Sequence, residues 1–254
     1  MFKFNESTLD NIIKLPIEKE PFDHLVIDNF FDEDYANKLE SEFLSPDDPS
    51  WWRYDNAIEN KRAMSTWDKF PKNTYNALWV LCSQHFSDLL SKKFNTQLYA
   101  DFGLNGGGWH MYGKGGKLNL HQDYSIHPKI PFERKFNIII YLSKDWDPSW
   151  NGGLELWSHD HETKKPKELI KTVDIKFNRA VIFDTTQNSW HGFQERLTCP
   201  DGTFRKSLAI YYVQEPKESA NPDRYKAWFE PDKNQKNDPA VLELIERRKT
   251  GNYK

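Results

Sequence analysis

Between residues 98 and 213 the chain holds no apolar period for more than a few residues at a time. Short runs rich in β-branched and aromatic residues alternate with Gly, Asn, Asp and Pro. The runs are 110–112, 118–123, 136–142, 154–157, 171–175, 180–183 and 207–213. Many short strands separated by turn signals predict a sandwich or a barrel rather than helices.

The flanks read differently. Residues 24–31, HLVIDNFF, form a strand-like run, and Asp32 follows as a helix N-cap with Tyr35, Leu39 and Phe43 at helical spacing. Residues 51–66 show no period and are expected to be a loop that packs aromatics. From Asn73 a single helix is expected, with Tyr75, Leu78, Trp79, Cys82, Phe86 and Leu89 as one apolar stripe that buttresses a sheet. After Glu215 the chain turns polar. A last helix is expected at Asp238-Pro239, a cap followed by proline at the first helical position, with Leu242 and Ile245 as its apolar contacts. The organisation that follows is an N-terminal strand with supporting helices (1–95), a barrel (96–215) and a polar C-terminal segment with a helix (216–254), the last a candidate cover for the substrate entrance.

Composition narrows the class. The 254 residues are 37% hydrophobic and 15% aromatic, enough for a sizeable core. A net charge of -3 gives no global reason to expect nucleic acid or an anionic membrane. Cys82 and Cys199 supply neither a disulfide framework nor a zinc knuckle. Residues 1–15 lack the apolar run of a signal peptide, and no stretch reaches transmembrane length, so a cytoplasmic protein is expected.

The chemistry centres on His121-Gln122-Asp123. On a strand, residues i and i+2 share a face, so an imidazole and a carboxylate reach one metal together. His191 follows downstream. Two histidines and one carboxylate leave open positions on iron(II) for a 2-oxo acid and dioxygen. Context separates this tripeptide from a surface turn. Arg205 begins a strand on which Ser207, Ala209 and Tyr211 share its face, and an arginine beside small residues suits a bidentate pair with a carboxylate. Lys206 is the rival cation on the opposite face. Tyr141, on the face of Asn137 and Ile139, is placed to offer its hydroxyl to the same carboxylate, and Tyr112 is either a further contact or core. Asn151-Gly152-Gly153 reads as a tight turn or a close backbone approach. The cluster His159, His161 and Glu162 offers ligands but suits an exposed hairpin loop better. His127 either touches substrate or caps a turn, and His110 is read as core or as a support for the site.

At these residues the sequence resembles the prolyl-hydroxylase branch of the iron(II)- and 2-oxoglutarate-dependent dioxygenases, bacterial and phage members included. The match runs from Tyr112 to Tyr212, and its ordered motifs are YGKGGKLNLHQD, RKFNIIIYLSKDWD, NGGLELW, IKFNRAVIFDTTQNSWHGF and FRKSLAIYYV. The resemblance implies a mainly β fold, a double-stranded β-helix (jelly-roll, cupin-like barrel) with flanking helices. It implies His121, Asp123 and His191 as iron ligands, with Arg205, Tyr141 and Tyr112 on 2-oxoglutarate. Fe(II), 2-oxoglutarate and O2 are the implied cofactors, with ascorbate as a further one. The implied reaction is hydroxylation of a prolyl residue, another peptide site or a small molecule, with release of succinate and CO2. Asp123 itself favours hydroxylation, because related halogenases carry a small residue there. Two alternatives stand beside it: a metal-binding cupin-like barrel without oxygenase activity, and a nucleic-acid demethylase on the same fold. Against the second, Tyr211 occupies the place where base-repairing relatives carry a second arginine. Neither nucleic acid nor membrane is an expected partner.

Overall fold

A computed structural model describes residues 2–251. In chain order its elements are α1 (Thr8–Lys14), β1 (His24–Ile27), α2 (Glu33–Ser41), β2 (Trp52–Asp55), β3 (Glu59–Met64), α3 (Lys72–Leu81), α4 (Gln84–Phe94), β4 (Tyr99–Ala100), β5 (Gly108–Tyr112), β6 (Lys117–Gln122), β7 (Glu133–Tyr141), β8 (Leu154–His159), β9 (Pro166–Val173), β10 (Ala180–Asp184), β11 (Trp190–Phe193), β12 (Arg205–Gln214), β13 (Trp228–Phe229) and α5 (Pro239–Thr250).

Every strand pairing is antiparallel, in the order β1-β10-β7-β12-β5-β3-β6-β11-β8-β9, with β4 on β12, β2 on β3 and β13 on β6. The sheet curls into a nearly closed barrel, the expected double-stranded β-helix. Strict alternation divides each strand between two cores. On β12, Leu208, Ile210 and Tyr212 face the helices, and on β7 so do Phe136, Ile138 and Ile140. These pack with Leu78, Phe86 and Leu90 of α3 and α4. At roughly 1.5–3 kcal/mol per fully buried side chain, packing rather than helix propensity holds this layer. The opposite faces put Tyr141, Leu156, Val181, Phe183 and Phe193 into a second core inside the barrel.

Three expectations need correction. Residues 51–66 are not a loop: β2 and β3 lie there, and β3 bridges β5 and β6. The alternation is hidden because residues of β3 that face inward are charged and paired. Lys61 Nζ lies 2.8 Å from Glu59 Oε1, and Arg248 of α5 lies 2.7 Å from Glu59 Oε2. The helix expected from Asn73 is two helices. Ser83 interrupts it as the N-cap of α4, accepting from Phe86 N at 3.3 Å. Within α3 the buried face is Ala77, Leu78 and Leu81, while Tyr75 and Trp79 share the outer face and Trp79 is 61% exposed. In α5 the Asp238 cap and Pro239 stand as expected, but Val241 is the buried contact and Leu242 is exposed.

The Asp32 cap, accepting from Tyr35 N, matches expectation. The 160–165 segment is the turn of the β8–β9 hairpin, as read from the sequence. Among the described residues no helix is long and apolar enough to cross a membrane.

Candidate active site

His121 at the end of β6 and His191 on β11 are direct cross-strand partners. Gly192 makes their approach possible. It has φ +156°, and a Cβ there would sit 2.7 Å from Asn119 O and 2.8 Å from Leu118 O, inside contact distance. The two imidazole centroids end 4.2 Å apart.

Each ring is fixed by its own backbone. His121 Nδ1 lies 3.0 Å from Asn119 O, and His191 Nδ1 lies 2.9 Å from Ser189 O. A carbonyl oxygen only accepts, so Nδ1 carries the proton and donates in each ring. Nε2 is left with a free lone pair, the state in which imidazole binds a metal. Burial, with His191 nearby, pushes His121 down to about 3, so it is neutral across the physiological range. Phe229 of β13 stacks on His121 at 4.9 Å and 20°, and Phe183 meets His191 edge-on at 4.8 Å.

Asp123, just past β6, completes the group. Its Oδ1 is 3.8 Å from His121 Nε2 and its Oδ2 is 3.9 Å from His191 Nε2. One ligand atom from each of the three residues lies within 4.8 Å of the others. Asp123 Oδ2 is buried without a hydrogen-bond partner. Burial alone would raise this carboxyl. The charge of Arg134, with a hydrogen bond from Tyr211, holds it below the ordinary carboxylate value instead. A buried, ionised carboxylate with an unused oxygen facing two Nε2 lone pairs is a donor set that fits iron(II).

Arg134 was not singled out from the sequence. Its guanidinium is sandwiched between the rings of Tyr124 and Tyr211, 3.4 Å from each centroid, and Nη1 stands 3.6 Å from Asp123 Oδ1. Nη2 donates to Tyr124 Oη and to Asn105 O. Parity misled here. Arg134 shares its register with Phe136, which faces the helices, yet the β7–β12 pairing slips between Phe136–Tyr212 and Arg134–Val213. The extra residue, Lys135, turns Arg134 to the inner face. Glu59, Lys61 and Phe229 also line the cavity and were missed, the first two because charge masked their strand.

At the other end of the cavity, about 230 Å³ in volume, Arg205 enters from β12. Its Nε donates to Gly152 O at 2.9 Å and its Nη2 to Tyr141 Oη at 3.4 Å. The guanidinium carbon lies 5.1, 5.0 and 5.0 Å from the ring centroids of Tyr112, Tyr141 and Phe193. Gly152 has φ +88°, and a Cβ there would meet Leu197 at 2.6 Å, which accounts for the glycine pair as a close approach. Among the described residues no carboxylate lies within ion-pair distance of buried Arg205, and Ser207 Oγ beside it is buried without a partner. Such a cation is costly unless an anion meets it. Lys206 turns away, pairing with Glu40 at 2.6 Å, so the expected strand parity holds.

Two other sequence candidates lie elsewhere. His127 Nδ1 accepts from Lys129 N at 3.1 Å and its Nε2 is 3.4 Å from Asp101, so it braces a turn. His159 accepts from Trp190 Nε1 at 3.0 Å, outside the three-residue group. His110 lines the cavity.

The profile of the 2OG-Fe(II) oxygenase superfamily matches residues 107–213. These residues, under half of the chain, are similar to that superfamily. The match takes in His121, Asp123 and His191, both tyrosines and Arg205. A prolyl 3-hydroxylase, OGFOD1, from Mus musculus is 26% identical over 199 residues, covering 78% of this chain and 34% of that protein. The Xenopus laevis protein of the same name is 24% identical over 201 residues, covering 77% and 36%. The chain thus spans about a third of the length of these relatives. Among solved structures, a Pseudomonas putida prolyl-4-hydroxylase superposes with a TM-score of 0.57 at 13% identity, covering 82% of this chain and 97% of that one. A Trichoplax adhaerens prolyl hydroxylase in complex with a hypoxia inducible factor peptide fragment gives 0.54 at 14% identity, covering 82% and 88%. At these identities the superpositions establish a shared fold. The oxygenase name carries Fe(II) and 2-oxoglutarate, and the two ends of the cavity offer what each requires.

Proposed function

We propose that the chain is a 2-oxoglutarate-dependent hydroxylase acting on a prolyl residue or another peptide or small-molecule site. In this reading His121, Asp123 and His191 hold Fe(II), which supplies oxygen activation when bound. Arg205 takes the far carboxylate of 2-oxoglutarate in a charge-assisted pair. Tyr141 hydrogen-bonds the same carboxylate, and the Tyr112 ring packs beside it. Each histidine presents Nε2, aimed by its Nδ1–backbone bond. Arg134 and Tyr211 keep Asp123 ionised and oriented. The apolar walls of Phe193, Leu154 and Ile139 limit water around the cosubstrate. The relatives named as prolyl hydroxylases support the substrate class. The two cysteines, both unpaired and buried, suit a reducing, cytoplasmic setting. Ascorbate belongs to this reading as an accessory cofactor.

One observation carries the proposal: the buried His121–Asp123–His191 group and the unpaired Arg205 open into one cavity. Anaerobic titration of the Fe(II)-loaded protein with 2-oxoglutarate tests it. A weak visible charge-transfer band that is lost in Asp123→Ala and needs excess cosubstrate in Arg205→Ala is the expected result. Absence of the band with iron demonstrably bound would instead indicate a metal-binding barrel that does not use 2-oxoglutarate.

A further inference from the structure

A concavity larger than the oxygenase cavity is present among the described residues. It lies behind it, on the outer face of β6, β11 and β8, and encloses about 1090 Å³, more than four times the 230 Å³ of the site. Alternation puts it there. His121 and His191 point into the barrel, so Leu120 and Trp190 point out, and Trp157 pairs with Trp190 across β8 and β11. One wall is the turn of the β8–β9 hairpin. The other is β13, the loop after it, and α5.

Charge and aromatic surface are combined in this groove. Lys164 and Lys167 stand on the hairpin wall, and Lys236 and Lys249 on the opposite wall. All four are exposed, and none lies within ion-pair distance of an acid among the described residues. Acidic groups are also present. Glu230 and Glu195 are taken by Lys165 and Lys233, at 3.6 and 2.7 Å, and Asp232 is taken by Lys117. Glu246 is left to offset part of the excess. Trp190 lies in the floor, and the rings of Trp157 and Trp228 are partly exposed. Lys249 Nζ sits 4.9 Å from the Trp228 ring, and Trp228 Nε1 is a buried donor without an acceptor among the described residues.

We propose that this groove is a docking site for single-stranded nucleic acid. Lysines on both walls meet phosphates, and indole faces meet bases, a pairing that tolerates any sequence. A net charge of -3 gave no reason to expect such a partner, but a net charge averages over the surface, and this groove does not share that average. An acidic peptide is the competing polyanion. It would bind most readily by adding to the free edge of β9, yet that strand opens with Pro166 amid Lys164, Lys165 and Lys167, features that blunt an edge against strand addition. Carboxylates also gain nothing from indole faces.

The test is fluorescence anisotropy of a labelled oligouridine strand with the 254-residue chain over a range of salt. Three forms are compared: the unaltered chain, the groove variant Lys164→Glu/Lys167→Glu/Lys236→Glu, and a control variant Lys72→Glu/Lys92→Glu/Lys217→Glu of equal charge change at exposed sites elsewhere. Salt-dependent binding by the unaltered chain and the control is expected, weaker by about tenfold or more in the groove variant. The salt slope should fall by about 2 when three phosphate contacts are lost. Circular dichroism establishes that all three forms are folded. Equal weakening in both variants, no binding at low salt, or displacement of the strand by polyglutamate as effectively as by unlabelled oligouridine would each overturn the proposal.

Discussion

The guanidinium of Arg134 stands 3.6 Å from the Asp123 carboxylate while lying flat between the rings of Tyr124 and Tyr211. It therefore compensates a buried negative charge without using that carboxylate's second oxygen. Arg134→Gln should leave the charge unpaired and destabilise the metal-free protein by about 3–5 kcal/mol. A divalent metal should then recover more stability in the variant than in the parent, since it replaces the missing cation. Urea unfolding of both forms, with and without Co(II), measures this. Equal recovery by metal would show that Arg134 does not compensate Asp123.

At the cosubstrate end, Arg205→Ala should weaken 2-oxoglutarate by roughly 2–3 kcal/mol, about 30–150-fold, through loss of charge-assisted hydrogen bonds. Lys206→Ala should leave it unchanged, because Lys206 is engaged with Glu40 on the helix side. Calorimetric titration under nitrogen distinguishes them, and the reverse ranking would mean that the other face of β12 binds the cosubstrate.

Asp123→Ala should abolish turnover and weaken Fe(II) by more than about 100-fold, beyond the range for loss of a supporting hydrogen bond. Equilibrium dialysis against a metal buffer reads the affinity directly. Retained activity in this variant would remove Asp123 from the ligand set.

Acid should destabilise the metal-free protein well before its carboxylates titrate. His121 is held down to about 3 by burial and by His191, and His110 is lowered well below its ordinary value by burial and by Lys61 and Arg205. The unfolded chain therefore binds more protons than the folded one as soon as pH falls below about 6.5. Stability is full above that point and is lost on acidification, at about 1.4 kcal/mol per pH unit for each histidine. Urea midpoints of EDTA-treated protein at pH 7.5, 6.0 and 5.0 should fall accordingly, and less steeply in His110→Asn. A flat profile would show that neither histidine is held neutral by the fold.

The parts of this molecule legible in its sequence were those governed by regular alternation and by motif. On β12 the period of two separated Arg205 from Lys206, and on β7 it placed Tyr141 inside the barrel. The misses have physical causes of three kinds. A bulge at Lys135 reverses parity, so Arg134 could not be assigned to the inner face by counting. An internal ion pair, Glu59–Lys61, replaces the apolar residues by which a strand is normally seen. Phe229 reaches His121 from a two-residue strand, too short to carry any period. Ser83, by contrast, was a readable signal: a serine N-cap in mid-pattern marks the junction between α3 and α4.

The pairing of β13 with β6 sets an order of events during synthesis. All three residues of the Asp123 group have left the ribosome once residue 191 has been made and cleared the exit. The aromatic lid on His121 comes from Phe229, and the clasp on Glu59 comes from Arg248. A growing chain thus displays these donor atoms with one side bare until Phe229 has followed His191 out. The barrel acquires its donors early and its walls late, so any metal captured before release enters a half-built chamber from a direction that the finished protein closes.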